Sequence, residues 1–191
     1  NLNGNGFVGI SSQAIPANVG QLKALKMGNN KLTEVPPIVS AFSPSLQHLD
    51  VSGNRITAYP DIVTSLTALR HLDLSRNSIS GDFLQAYVAL TSLQHLDVSH
   101  NNFTGMLPVL TTLTLLTTIN LGYNKFEGAV STEFGSTSYL QEINLQRNQL
   151  LGPLSGDFTK FKALKSLTLS GNNIYGFLPL DYSKFTSLEC L

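Results

Sequence analysis

The chain has 191 residues, 32 of them Leu and 16 Asn, and its 12 basic and 12 acidic side chains cancel to a formal charge of zero. Only 13% of the residues are charged and mean hydropathy is +0.08, while no apolar run approaches the roughly 18 residues of a membrane span, so neither a transmembrane domain nor a disordered tail fits. No basic cluster of the kind that neutralises phosphates is present, which argues against nucleic acid as a partner.

In chain order, one pattern returns from end to end. After a truncated copy at the start, seven cores read LKALKMGNNKL, LQHLDVSGNRI, LRHLDLSRNSI, LQHLDVSHNNF, LTTINLGYNKF, LQEINLQRNQL and LKSLTLSGNNI. Each fits LxxLxLxxNxL with aliphatic or Phe exchanges. The pattern asparagines are Asn5, Asn30, Asn54, Asn77, Asn101, Asn124, Asn148 and Asn172, separated by 25, 24, 23, 24, 23, 24 and 24 residues. Alternation at Leu72, Asp73, Leu74 and Ser75 has period two, the signature of a strand with one buried face. One short strand per turn cannot bury that face alone, so successive turns must stack, with strands side by side at about 4.8 Å in a parallel sheet. Parallel connections within one sheet are right-handed. The chain should therefore coil as a right-handed solenoid.

The recurring Asn has a mechanical role. Where the chain leaves the sheet it exposes backbone groups inside the stack, and each one left unpaired costs about 1–3 kcal/mol. A carboxamide both donates and accepts, so the eight asparagines are expected to form one column bonding adjacent turns. Six copies place Gly four residues after the Asn: Gly9, Gly81, Gly105, Gly128, Gly152 and Gly176. Pro108 and Pro179 follow in two of them. Glu34 and Ala58 replace the Gly in two other copies, where Pro36 and Pro60 remain. Val35, Tyr59, Phe83 and Val130 are expected to anchor the return segments. Val19, Leu66, Leu90, Leu113, Phe161 and Phe185 recur three residues before strand motifs, and Phe103, Phe126, Phe134 and Phe158 are expected to fill the convex side.

These motifs resemble the leucine-rich repeat family over essentially the whole chain, and the Gly and Pro spacing resembles its plant-type LxGxIP pattern. The resemblance implies an α/β solenoid: a right-handed horseshoe with a parallel β-sheet on the concave face and an irregular or short-helical convex side. Residues 1–191 then form a single repeat domain fragment of seven full repeats with partial repeats at both ends and no caps, so the natural protein is expected to continue both ways. No charged-then-apolar leader precedes the repeats, consistent with an excised piece.

Outward strand positions form columns on the concave face. One reads Ala24, His48, His71, His95, Thr118, Glu142, Ser166, and its neighbour Lys26, Asp50, Asp73, Asp97, Asn120, Asn144, Thr168. Three His beside three Asp raise the idea of a metal site or a pH-responsive patch, in which the carboxylates would favour protonated imidazoles. Side chains on parallel strands diverge instead of converging on the roughly 2.0–2.1 Å that zinc requires, so no metal ligation is expected. Ser75 or Ser99 near His and Asp has neither a strained elbow nor oxyanion donors, and no catalytic residue is assigned. No cofactor is expected. Cys190 has no internal partner, and no Cys or His cluster offers a structural zinc site. A further column, Arg76, His100, Tyr123 and Arg147, carries residue types favoured at the centres of interfaces. The expected binding surface is therefore His48, Asp50, His71, Asp73, Arg76, His95, Asp97, His100, Tyr123 and Arg147.

Asn102, Phe103 and Thr104 form an N-glycosylation sequon. The family resemblance implies a parent protein at the extracellular face of the plasma membrane, a receptor-like kinase or receptor-like protein, whose partners are a peptide or protein ligand and a co-receptor ectodomain. It leaves open a secreted inhibitor of a cell-wall hydrolase, a protist surface antigen and an intracellular scaffold.

Overall fold

A computed structural model describes residues 1–9, 21–83, 87, 89–130, 139–154, 161–177 and 187–190. Short strands of period-two sequence recur once per turn. They are β1 (Ala24–Lys26), β2 (His48–Asp50), β3 (His71–Asp73), β5 (His95–Asp97), β7 (Thr118–Asn120), β9 (Glu142–Asn144) and β11 (Ser166–Thr168). Together they make a seven-stranded parallel sheet in chain order. The register is unbroken: Leu25, Leu49, Leu72, Leu96, Ile119, Ile143 and Leu167 lie side by side as its inward-facing row. From Leu49 onward these are at most 4% exposed. Further buried rows run parallel to this one. Val51, Leu74, Val98, Leu121 and Leu145 follow each strand, and Leu46, Leu69, Leu93, Leu116, Leu140 and Leu164 precede it.

The Asn column forms as its position demands. Each Oδ1 accepts a backbone N–H of the preceding turn, two residues past that turn's own Asn: Leu32 N–H to Asn54 (2.9 Å), Ile56 to Asn77 (3.0 Å), Ile79 to Asn101 (3.0 Å), Phe103 to Asn124 (3.1 Å), Phe126 to Asn148 (3.0 Å) and Leu150 to Asn172 (3.1 Å). Each Nδ2 donates both within its turn and across. Asn124, for example, reaches Leu121 O at 3.1 Å and Val98 O at 3.0 Å. Asn30 enters the ladder in the same way, through Phe7 N–H and Leu2 O. Asn5 does only half of this work. It is exposed and donates within its own turn, to Leu2 O and Asn3 O.

Past the Asn most turns take one of two forms. In the turns with Gly81, Gly105, Gly128, Gly152 and Gly176 the chain makes a lateral strand: β4 (Ser80–Asp82), β6 (Asn102–Thr104), β8 (Glu127–Gly128), β10 (Gln149–Gly152) and β12 (Asn173–Ile174), whereas the Gly9 turn makes none among the described residues. These pair in parallel as β4 with β6 and as β12-β10-β8. Their glycines, such as Gly105 at φ +79°, occupy a region that costs other residues. Where Glu34 and Ala58 replace Gly, 3₁₀ segments Pro37–Phe42 and Asp61–Ser65 follow instead, each entered through Pro36 or Pro60. The lateral strands are absent from the sequence-based expectation. The two 3₁₀ segments match the short-helical return side.

Of the expected anchors, Val35, Phe83, Val130, Leu66, Leu90, Leu113, Phe161, Phe103 and Phe126 are buried, and Tyr59 is partly so. Phe103 of β6 and Phe126, just before β8, are buried and stack at 6.3 Å. Val19, Phe134, Phe158, Pro179 and Phe185 lie outside the described residues.

Removing a ladder carboxamide leaves buried backbone groups on two turns unpaired. Asn124→Ala should lower unfolding free energy in urea by about 2–3 kcal/mol. Exposed Lys125→Ala should change it by less than about 0.5 kcal/mol. Equal effects would contradict a structural ladder.

Candidate concave binding face

In-register pairing converts sequence columns into rows of side chains across the sheet. His48, His71 and His95 are neighbours on consecutive strands. The first two rings lie face to face at 4.0 Å and 2°, and His71 meets His95 at 5.5 Å and 43°. Burial holds the His71 pKa down, to about 4, and the neighbouring imidazoles His48 and His95 push the same way. His48 is also lowered, first by burial and then by Lys26. The sequence-based expectation that nearby carboxylates favour protonation is therefore reversed. Asp50 does pull His71 upward, but desolvation is the larger effect.

The carboxylates are occupied locally. Asp50 Oδ1 accepts Ser52 N–H (3.0 Å), Asp73 Oδ1 accepts Ser75 N–H (2.9 Å), and Asp97 Oδ1 accepts Ser99 N–H (2.8 Å). Asn120 and Asn144 do the same for Gly122 and Gln146. The reason lies in the alternation of the backbone: Leu74 and Arg76 donate to the next turn, whereas Ser75 between them turns its N–H toward its own Asp73. Each acid thus closes an Asx turn with one oxygen and presents the other to the face. Asp97 Oδ2 accepts Asn120 Nδ2 at 3.0 Å. Burial raises the Asp73 pKa despite the two bonds from Ser75. The sequence signal for these turns is an Asp or Asn two residues before the turn position, and periodicity alone reads it only as outward charge.

Between His71 and Thr168 the sheet floors an open groove of about 410 Å³, lined by polar side chains including Asp97, Thr118, Asn120 and Glu142. Among the described residues no group of three or more His, Cys, Asp or Glu is arranged to hold a metal ion.

The third column stands at the groove's rim, where the chain turns out of the sheet. Arg76, His100, Tyr123 and Arg147 all have left-handed backbone, φ +53°, +53°, +56° and +50°. A non-glycine residue pays about 1–2 kcal/mol for this geometry. His100 and Tyr123 stack at 4.0 Å and 13°, and the Arg147 guanidinium lies 5.6 Å from the Tyr123 ring centre. The structure thus joins His48, His71 and His95 in one row and Arg76, His100, Tyr123 and Arg147 in another, with Asp50, Asp73 and Asp97 between. Asn102 is exposed on β6, away from the groove, and Thr104 Oγ1 of the same sequon donates to Asp82.

A family model described as leucine rich repeat matches residues 1–56, 59–103 and 114–174. Among solved structures, the chain is similar to the plant peptide hormone receptor RGFR1 in complex with RGF2, at 29% identity and a TM-score of 0.84 over 96% of this chain and 30% of that one. It is also similar to the Arabidopsis receptor kinase HAESA in complex with the peptide hormone IDA and the co-receptor SERK1, at 27% identity and a TM-score of 0.80 over 91% of this chain and 30% of that one. A Leptospira interrogans repeat protein shares the fold at 26% identity and a TM-score of 0.70, over 92% of this chain and 55% of that one. The chain spans about a third of the length of the two receptor structures. No curated protein matches the sequence.

The depressed His71 pKa links this face to stability. As pH falls below 6.5 the unfolded chain takes up a proton that folded His71 refuses until about 4, so the His71 contribution is complete above 6.5 and lost across that window. Asp73 acts oppositely, since its raised pKa lets the folded state take its proton first. At about 1.4 kcal/mol per pKa unit, reduced by solvent screening of a half-buried ring, the His71 share is about 2 kcal/mol. Urea midpoints measured from pH 7 to 4 should fall in the wild type and fall less in His71→Asn. Parallel profiles would contradict the burial effect.

Proposed function

The chain belongs to the leucine-rich repeat family, and from that premise we propose that it is a ligand-binding segment of the ectodomain of a plant-type cell-surface receptor, taking a peptide or protein on its concave face. The observation that carries this reading is the groove from His71 to Thr168, whose polar side chains stand on five strands in unbroken register. A rigid floor lowers the ordering cost of association, and an extended peptide laid across it meets a new row of side chains every 4.8 Å or so. The likeness to receptor structures that hold peptide hormones supports the same class of ligand.

In this reading the described residues bind and do not catalyse. The parent protein sits at the extracellular face of the plasma membrane, with signalling carried by parts beyond this segment. Asn102, exposed on the lateral strands, serves as a glycan acceptor that leaves the groove open. His48, His71, His95 and the outward carboxylates of Asp50, Asp73 and Asp97 contact the ligand from one half of the floor. A co-receptor ectodomain is the second partner.

Peptides selected from a displayed random library on the purified chain test the reading. Thr118 points into the groove from β7, so Thr118→Arg should obstruct it without disturbing the core and weaken the selected peptides about tenfold or more. Asn102→Gln should leave them unchanged. Binders indifferent to Thr118→Arg, or turnover of a substrate by the purified chain, would contradict the proposal.

A further inference from the structure

All eight turns place a left-handed residue immediately before the pattern Asn. Gly4, Asn29, Gly53 and Gly171 fill it in the outer turns, with φ from +54° to +72°. These residue types tolerate the geometry. The four consecutive inner turns instead carry Arg76, His100, Tyr123 and Arg147 in the same conformation. The ladder does not require those side chains, because Asn54 and Asn172 make the same bonds after Gly53 and Gly171 that Asn77 and Asn124 make after Arg76 and Tyr123. Nor does the core, since Arg76, His100 and Arg147 are exposed and Tyr123 partly so. Strain of this kind, carried at Arg76, Tyr123 and Arg147 and unused by the fold, marks a surface organised for something else.

The strip is also preorganised. The His100, Tyr123 and Arg147 planar groups stack in sequence, and Gly171 clears the space that Arg147 occupies: a Cβ there would stand 3.0 Å from Arg147 Cγ. Both ends of the strip are guanidiniums, whose forked donors match carboxylates two bonds at a time. Exposed Arg55 and Lys125 add positive charge alongside. Asp50, Asp73 and Asp97 line the neighbouring floor and repel an anion that would slide from the rim into the groove. Arg76 and Arg147 are three turns apart, about 14 Å at the spacing of parallel strands, and four residues of extended chain span about 13 Å with both side chains on one face.

We propose that Arg76, His100, Tyr123 and Arg147 form a docking strip for an extended acidic segment of a peptide or protein partner, with carboxylates four residues apart engaging Arg76 and Arg147. The segment runs across the turns, along the solenoid axis, and its intervening side chains pack on the His100 and Tyr123 stack. This deepens the reading of the concave face as a peptide site, and it names the chemistry that the rim selects.

The probe is an acetylated, amidated peptide Ser-Glu-Ser-Thr-Ser-Glu-Ser, titrated into the isotope-labelled chain and followed by NMR shifts. Its isomer Ser-Ser-Glu-Glu-Ser-Thr-Ser keeps the charge and loses the spacing. The spaced peptide should bind about fivefold tighter, with shifts centred on the four rim residues. Arg76→Gly with Arg147→Gly, which installs the residue that the outer turns already use, should stay folded and lose about tenfold in affinity. Arg76→Lys with Arg147→Lys should recover only part of it, because a point charge lacks the fork. Equal affinity for the two isomers, no binding, or binding that survives the glycine pair would overturn the proposal. So would an oligouronate of equal charge that binds as tightly through the same residues, since the strip would then select a polysaccharide. If these arms fail while Thr118→Arg still blocks library-selected peptides, the rim assignment falls and the groove stands. If Thr118→Arg has no effect while the rim arms succeed, the acidic strip stands and the groove falls.

Discussion

The contact between a buried carboxamide and the backbone of two turns sets everything else in this molecule. Backbone bonds tie each three-residue strand and its flanks to the next turn, yet each turn leaves the sheet with further backbone groups pointing into the interior. Asn54, Asn77, Asn101, Asn124, Asn148 and Asn172 each accept an N–H from the previous turn and donate to carbonyls on both. That double tie fixes the step between turns. With the step fixed, inward Leu and Ile rows fall into register, and outward residues fall into equally regular rows.

Function follows from the same regularity. Because every outward position recurs on each turn, the face is written in rows: imidazoles beside acids on the floor, guanidiniums and aromatic rings along the rim. The floor acids are partly structural, each closing an Asx turn. The rim residues are not structural in this sense, since Gly serves the fold equally well at the same position. Two adjacent rows thus differ in kind. Substituting an acid disturbs a turn, whereas substituting a rim residue by Gly removes a contact surface and little else.

Much of this is readable from residue spacing. The 23- to 25-residue step of the asparagines locates each strand, and the central residues of all seven strands are the ones period-two alternation places inward. The outward columns of the sequence are the rows of the sheet. What spacing cannot convey is competition between effects at one site. His71 has Asp73 two residues on in sequence and Asp50 acting on it from the neighbouring strand, yet burial among its own stacked neighbours outweighs the acid's pull. Asp73 reads as surface charge because the pattern shows its direction, not the Ser75 N–H that it accepts. The lateral strands go with left-handed backbone at Gly81, Gly105, Gly128, Gly152 and Gly176, which the same Gly spacing at Gly9 does not produce. The same holds for Arg76 and Tyr123, whose left-handed backbone nothing in their own chemistry announces.

Amide hydrogen exchange measures the ladder most directly. The N–H groups of Leu32, Ile56, Ile79, Phe103, Phe126 and Leu150 lie beyond the main sheet, and each has a side-chain oxygen of the next turn as its acceptor. If the carboxamides hold the stack together, these six amides exchange as slowly as the central strand amides, near the limit set by global unfolding. Exchange at the rate of the exposed return segments would mean that apolar packing alone holds the turns, and would contradict the carboxamide column as the element that fixes their step.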